Sequence, residues 1–147
     1  MQRFILVLLV FVLVGCAQTG SSLKSTEEQT REYSAAAVSL SDFSMKIIAH
    51  YQSRSLSVPN DFDANQFFVL LEKVYPDQAR VNLIRSGYLV SVRPLDGGYS
   101  VMLCDPQTGR KIMEDLSCHL DRVEIRSWET GAESPCLFES DWKPYCQ

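Results

Sequence analysis

The spacing of the apolar residues changes at Gly87, and this change constrains the fold more than any other feature of the chain. Before Gly87, apolar side chains recur every three or four residues, which is the period of a helix with one buried face. After Gly87 they alternate or form short blocks bounded by glycine and proline, a pattern typical of strands joined by turns. The sequence therefore predicts an α+β domain, with two or three N-terminal helices packed on an antiparallel β-meander.

Two helices are predicted with clear boundaries. The first begins at a capping-box pattern, residues 25–28, and ends near Arg54. The second begins at residues 63–66 and stops at Tyr75-Pro76; it is apolar over most of its surface, so we expect it to lie centrally. Residues 80–85 fit either a short helix capped by Gly87 or a strand.

Four strands and two turns are predicted after Gly87. The strands are expected over residues 88–93, 99–104, 111–113 and 122–128, and the turns over 95–98 and 106–109. The tail that follows is irregular and rich in aromatic residues. We expect it to form a disulfide-stapled flap against the sheet, because a chain terminus usually frays unless contacts hold it.

The chain begins with a short apolar run. Residues 4–14 are all apolar, Arg3 precedes them, and Gly15-Cys16 follows. Eleven helical residues rise only about 16 Å, whereas the hydrocarbon core of a membrane is roughly 30 Å thick, so the run is a poor membrane span. One positive charge, an apolar run and a small residue are the layout of a secretory signal peptide.

The end of this run, Leu13-Val14-Gly15-Cys16, resembles the lipobox of bacterial lipoproteins. The resemblance implies that the Cys16 thiol receives a diacylglycerol, that the signal peptide is removed before it, and that the new amino terminus is acylated. Two or three acyl chains would anchor the protein firmly, since each buried methylene contributes about 0.8 kcal/mol. Ala17-Gln18, rather than an aspartate, follows the cysteine, which by the sorting rule of enteric-type bacteria implies the periplasmic face of the outer membrane.

The resemblance covers only residues 1 to about 20 and divides the chain into three parts. Residues 1–15 are the expected signal peptide, residues 16–24 a lipid-anchored flexible tether of small polar residues, and residues 25–147 a single periplasmic α+β domain. Loss of Arg3 with the signal peptide moves the formal net charge from −4 to −5. A mildly acidic domain argues against a nucleic-acid partner, whose phosphates favour clustered lysine and arginine.

Four cysteines remain when Cys16 is assigned to lipid: Cys104, Cys118, Cys136 and Cys146. An even number in an oxidising compartment predicts two disulfides. Three connectivities are open, and we favour Cys104–Cys118 with Cys136–Cys146, because both pairs close short loops worth about 3 kcal/mol each. A zinc site is disfavoured because none of the gaps has the C-x-x-C spacing.

The sequence carries no G-x-S-x-G, H-E-x-x-H or phosphate-binding glycine loop. We therefore assign no catalytic residue, no metal and no cofactor other than the covalent lipid at Cys16. His50 is interpreted as a solvated side chain near a helix end. The neighbouring acids at 114–115 and 139–141 are interpreted as exposed loop residues.

Two functional interpretations remain open: partner binding by the C-terminal tail, and catalysis by a histidine with neighbouring acids. Phe138, Trp142 and Tyr145 are residue types that dominate binding hot spots, although they would equally cover the open face of the sheet. His119, with Asp121 and Glu114, would suit an enzyme if a cleft brought them together.

The anchor, the compartment and the missing motifs together suggest a function. We expect an outer-membrane-anchored lipoprotein that acts as a non-enzymatic binding or scaffolding component of a cell-envelope assembly, with an envelope protein as its partner. The alternatives are a periplasmic inhibitor or immunity protein and a cell-wall-acting hydrolase.

Overall fold

A computed structural model describes residues 25–95, 97–119, 122–126 and 134–138, and over 116–119 and 122–126 it describes the backbone alone. The predicted signal peptide and tether, with Cys16, lie outside the described residues, as do Cys146, Trp142 and Tyr145. Within the described ranges the elements follow one another as α1 (Thr26–Ser53), α2 (Ala64–Val74), α3 (Gln78–Gly87), β1 (Leu89–Leu95), β2 (Gly98–Cys104), β3 (Lys111–His119) and β4 (Arg122–Arg126).

The four strands form one antiparallel sheet in the order β1-β2-β3-β4, so each strand pairs with its neighbour in sequence. The turns before and after β2 each contain a glycine in the left-handed region, Gly97 at φ 80° and Gly109 at φ 66°, which non-glycine residues rarely adopt. Helices that precede a meander and pack on it confirm the predicted α+β class.

Helix α1 is the central helix, because it contacts α2, α3 and three of the strands. Its first turn is capped by Ser25, whose Oγ accepts a hydrogen bond of 3.2 Å from the amide of Glu28, and its C-cap is Arg54 as predicted. The expectation that α2 lies centrally is wrong, since α2 buries one face through Phe67, Phe68 and Leu71 and exposes the other. Residues 80–85 belong to helix α3 rather than to a strand.

The core between the helices and the sheet is built largely from aromatic rings. Phe43 of α1 meets Tyr75 edge-to-face at 4.7 Å between ring centroids. Tyr99 of β2 meets Phe62 at 5.4 Å, and its hydroxyl lies 2.9 Å from the Ser44 Oγ of α1. Edge-to-face pairs of this kind add to the free energy gained by burying the rings, and the hydroxyl pair satisfies the polar atoms that the core encloses.

The opposite face of the sheet is also buried. Ser100, Met102, Cys104 and Glu114 are each at most 3% exposed, although they alternate with the residues that face the helices. We call this side the outer face. Part of its cover is the segment 134–138, which the disulfide between Cys104 and Cys136 joins to the end of β2.

The strand β3 is longer than predicted, and this corrects the interpretation of the acids at its centre. Glu114 and Asp115 lie inside the strand, 3% and 0% exposed, rather than in an exposed loop. Both faces of this central strand are covered. Its sequence therefore lacks the alternation of polar and apolar residues that marks a strand with one face in water.

The favoured disulfide pairing is wrong, since Cys104 pairs with Cys136 across a Cα–Cα distance of 5.9 Å. In the β2–β3 register Cys104 lies opposite Lys111. Cys118 is seven residues further along β3, or about 23 Å of extended strand. That separation is far beyond the roughly 7 Å between Cα atoms that a disulfide can bridge.

Cys136 reaches Cys104 because its segment pairs with the β2–β3 turn. Arg110 and Pro135 form an isolated antiparallel bridge, the Lys111 amide donates to the Ser134 carbonyl at 3.0 Å, and the Cys136 amide donates to the Gly109 carbonyl at 3.1 Å. These backbone bonds place the two cysteines side by side.

Candidate functional site

A groove of about 430 Å³ opens between α1, α3 and the turn after β2. We call it the α1–α3 groove. Its size lies within the range of about 300–1,000 Å³ that is usual for ligand sites. The residues that line it are Gln29, Glu32, Tyr33, Ala35, Ala36, Ser39, Leu83, Ile84, Gly87, Tyr88, Asp105, Pro106 and Gln107.

The groove lies where the buried face of α1 continues toward the N-terminus of the helix. Tyr33 and Ala36 have the helical spacing that places them in line with the core residues Leu40 and Phe43. Here the face is bordered by α3 and the β2–β3 turn rather than by the aromatic core. One wall is apolar at Leu83, which is 65% exposed.

A hydrogen-bonded pair joins α1 to the β2–β3 turn on the floor of the groove. The Tyr33 hydroxyl donates to Asp105 Oδ2, and Gln29 Nε2 donates to the Tyr33 hydroxyl at 2.8 Å. The other carboxylate oxygen, Oδ1, accepts from the backbone amide of Gln107 at 2.7 Å. The turn and the helix are therefore held together by polar contacts.

These contacts shift the pKa values of Tyr33 and of Asp105. Burial and the hydrogen bond to Asp105 raise the pKa of Tyr33 above 10.0. Burial alone would raise the pKa of the Asp105 carboxyl, but the hydrogen bonds from Tyr33 and from backbone amides outweigh it and hold that pKa below its usual value. At neutral pH the groove thus contains a phenol donor and an ionised carboxylate.

A second polar group is enclosed at the interface of α1 with the sheet. Asp115 pairs with Val101 of β2 and Ile125 of β4, and residues paired across strands share a face of the sheet. Val101 belongs to the core, so Asp115 faces the helices. Among the described residues, neither oxygen of its carboxyl has a hydrogen-bond partner.

Burial raises the pKa of Asp115 to about 7, and the neighbouring Ser44 lowers it only in part. The nearby Ser44 Oγ is engaged with the Tyr99 hydroxyl at 2.9 Å, so it compensates the burial of the carboxyl only in part. This pKa lies in the range suited to proton transfer, but the side chain is 0% exposed.

Of the acids and the histidine considered for an enzyme, the structure describes the Glu114 side chain and the backbone of His119, which lie apart along β3. Glu114 Oε2 lies 3.0 Å from Lys111 Nζ on the outer face. His119 is five residues further along β3, about 16 Å of extended strand away. Asp121 lies outside the described residues.

Of the three aromatic residues considered for partner binding, the structure describes Phe138. Its ring lies under the Arg93 guanidinium, 4.5 Å from the ring centroid, and the neighbouring Leu137 carbonyl accepts from Lys111 Nζ at 3.2 Å. Phe138 thus contacts the outer face of the sheet, as in the alternative that these rings cover it. Trp142 and Tyr145 lie outside the described residues, and of Cys118 only the backbone is described.

His50 lies in the last turn of α1, and its Nε2 is 3.0 Å from Arg54 Nη1. Partial burial, and then the positive charges of Arg54 and Lys73, lower the pKa of His50 below 6.5. The predicted position at a helix end is confirmed.

The sequence does not predict the groove. The helical spacing predicts that Tyr33 lies on the apolar face of the first helix, and the sequence predicts a turn over 106–109; both predictions are locally sound. Nothing in their spacing reveals that two residues 72 positions apart share a hydrogen bond. The available signal was the Asp-Pro-Gln-Thr-Gly stretch, because an aspartate that begins such a turn binds backbone amides through its side chain.

Comparisons with known proteins add no family: no protein-family model matches the chain, and neither a curated protein nor a solved structure matches it. In the described part of the chain no cluster of three or more His, Cys, Asp or Glu side chains is arranged to hold a metal ion. None of the described helices combines the length and hydropathy that crossing a membrane requires.

Proposed function

We propose that the protein is a lipoprotein anchored through Cys16 to the periplasmic face of the outer membrane, where it acts as a non-enzymatic binding or scaffolding component of an envelope assembly. The binding role is carried by one observation, the open α1–α3 groove with its exposed apolar wall at Leu83. A concave site of this size, with an apolar wall and a few polar groups, is the kind of surface feature that most often binds a ligand or a partner.

The anchor and the compartment rest on the lipobox-like sequence at residues 13–16. The Cys104–Cys136 disulfide agrees with them, since structural disulfides persist in oxidising compartments such as the periplasm. With Cys16 assigned to lipid and this pair formed, Cys118 and Cys146 are the two cysteines left to form the second disulfide.

Intact mass tests the anchor and the disulfides together. The mature protein extracted from membranes should begin at Cys16 and carry a lipid-sized mass increment. Four cysteines should become alkylated only after reduction, and peptide mapping should recover Cys104–Cys136 and Cys118–Cys146. Changing Cys16 to alanine should abolish the increment and leave both disulfides in place. A chain that retains residues 1–15, or one with thiols that alkylate before reduction, would contradict the proposal.

Site-specific photocrosslinking in the intact envelope tests the binding role. A photoreactive residue at position 83 should give a discrete crosslinked species, because Leu83 lines the groove and is 65% exposed. The matched control is position 56, where Leu56 is 47% exposed and lies outside the groove. Equal adducts from both positions, or none from position 83, would count against a partner at the groove.

The two alternatives differ in their support. A hydrolase that used His119 and Glu114 is not favoured, because Glu114 is buried against Lys111. The inhibitor or immunity protein remains a form of the binding role in which the tail makes the contact. Loss of tight toxin binding in Trp142→Ala, without loss of folding, would favour it.

A further inference from the structure

We propose that the α1–α3 groove binds a segment of a partner protein in which a basic side chain stands next to an apolar one. This inference rests on the proposed binding function and names the chemistry of the partner. It is carried by three features of the groove: the sign of its charge, its apolar wall, and the open space at its α3 end.

The charged groups that line the groove are both acidic. Among the described lining residues, Glu32 and Asp105 carry carboxylates, and none is lysine, arginine or histidine. The hydrogen bonds that lower the pKa of Asp105 keep it ionised at neutral pH. Arg80 borders the groove at Ser39, but Asp42 pairs its charge at 2.9 Å. Both carboxylates already have interactions within the protein, but the charges that line the groove are negative, which favours a cationic side chain in the partner over an acidic one.

The apolar part of the groove comes from α3. Leu83 is 65% exposed and Ile84 is buried beneath it, so an apolar side chain laid against this wall would remove the Leu83 surface from water. An apolar contact beside a carboxylate suits a basic and an apolar residue that are close together in sequence.

Space for a side chain exists at the end of α3. Gly87 lines the groove, and a Cβ added to it would meet no atom within 4 Å. A Cβ at this position lies in open space, so we expect a larger residue there to extend into the groove. Gly87→Leu is therefore a blocking variant that adds a side chain without removing a contact.

The test uses the full chain, purified from membranes, and a displayed library of short random peptides. Enriched peptides should pair lysine or arginine with an aliphatic or aromatic residue, and their affinity is then measured by fluorescence anisotropy. Leu83→Ala should weaken binding about fivefold and Glu32→Gln about threefold. Gly87→Leu should abolish it.

Matched variants outside the groove separate a site from general attraction to an acidic protein. Leu56→Ala and Glu27→Gln change an exposed leucine and a carboxylate that is 79% exposed on the same helix as Glu32, and both should leave the affinity unchanged. Three outcomes would overturn the proposal: no enrichment, enrichment of acidic peptides, and binding that is insensitive to Leu83→Ala and Glu32→Gln. Tighter binding after the tether residues Leu23 and Lys24 are both replaced by glycine would also overturn it, since the chain's own tether would then be the occupant.

The selection does not depend on the lipid, because it reports only on the groove. A protein that lacks lipid but selects basic-apolar peptides would remove the anchor and keep this inference. A lipidated protein that selects no such peptides would keep the anchor and remove this inference. The photocrosslinking experiment tests the binding role separately.

Discussion

Replacing Asp115 by asparagine is expected to raise the free energy of unfolding by about 2–3 kcal/mol at pH 8 and to change it little at pH 5. The reason is the burial of this carboxyl between α1 and the sheet, where neither of its oxygens has a hydrogen-bond partner among the described residues. At pH 5 the carboxyl is protonated and resembles an amide in size and charge. At pH 8 it is ionised in the core, whereas asparagine remains neutral.

The direction follows from proton binding. The pKa of Asp115 is raised from 3.8 to about 7 by folding, so the folded state binds more protons than the unfolded state between these two values. The stabilising contribution is complete below the unfolded pKa and is lost as the pH rises through the folded pKa. The wild type should therefore be less stable at pH 8 than at pH 5 by this amount, as far as Asp115 determines the difference.

Urea unfolding of both proteins at pH 5 and pH 8 measures the effect. The difference between the variants at each pH isolates Asp115 from the other titrating groups. Asp61→Asn is the matched control, because Asp61 is exposed, and it should leave the pH dependence unchanged. If wild type and Asp115→Asn lose stability in parallel between the two pH values, the carboxyl does not titrate as described.

Removing both Cys104 and Cys136 by substitution with alanine is expected to lower the free energy of unfolding by about 4 kcal/mol. The two residues are 32 positions apart, and closing a loop of this length removes much of the entropy of the unfolded chain. Cys104 is also fully buried, so the replacement leaves a small void beneath the segment 134–138.

Denaturant unfolding of the oxidised and reduced proteins checks this prediction. A variant with alanine at Cys118 and Cys146 is the matched control, because it keeps the Cys104–Cys136 pair. Reduction should destabilise this control by about the same 4 kcal/mol. The Cys104→Ala/Cys136→Ala variant should not show this loss, because it has no Cys104–Cys136 bond to reduce. Equal denaturant midpoints for wild type and the Cys104→Ala/Cys136→Ala protein would show that the bond does not stabilise the fold.

Much of the fold could be predicted from the sequence, because its signals are local. Ser25 and Asp63 have side chains that bind amides of the first turn of a helix. Gly97 and Gly109 adopt backbone angles that other residues avoid. The change from helical to strand spacing gave the order of the elements and the class.

The rest of the fold depends on contacts between elements that are distant in sequence, and local sequence patterns do not contain this information. Glu114 and Asp115 look like surface acids until both faces of β3 are covered. Tyr33 and Asp105 come together only because α1 crosses the end of β2. Loop length alone does not identify the partner of Cys104. The strand predicted over 111–113 ends before Cys118, and only the longer β3 of the structure places Cys118 at the far end of the hairpin.

The register of β2 against β3 also has a consequence for the order in which the disulfides can form as the chain folds. Of the cysteines that follow Cys104, Cys118 is nearest in sequence and precedes Cys136. A β-hairpin forms in about 1–10 μs, whereas disulfides form over seconds to hours. Once β2 and β3 have paired, Cys104 and Cys118 are held at opposite ends of the hairpin. Formation of the hairpin is therefore expected to disfavour a Cys104–Cys118 bond and to leave Cys104 available for Cys136.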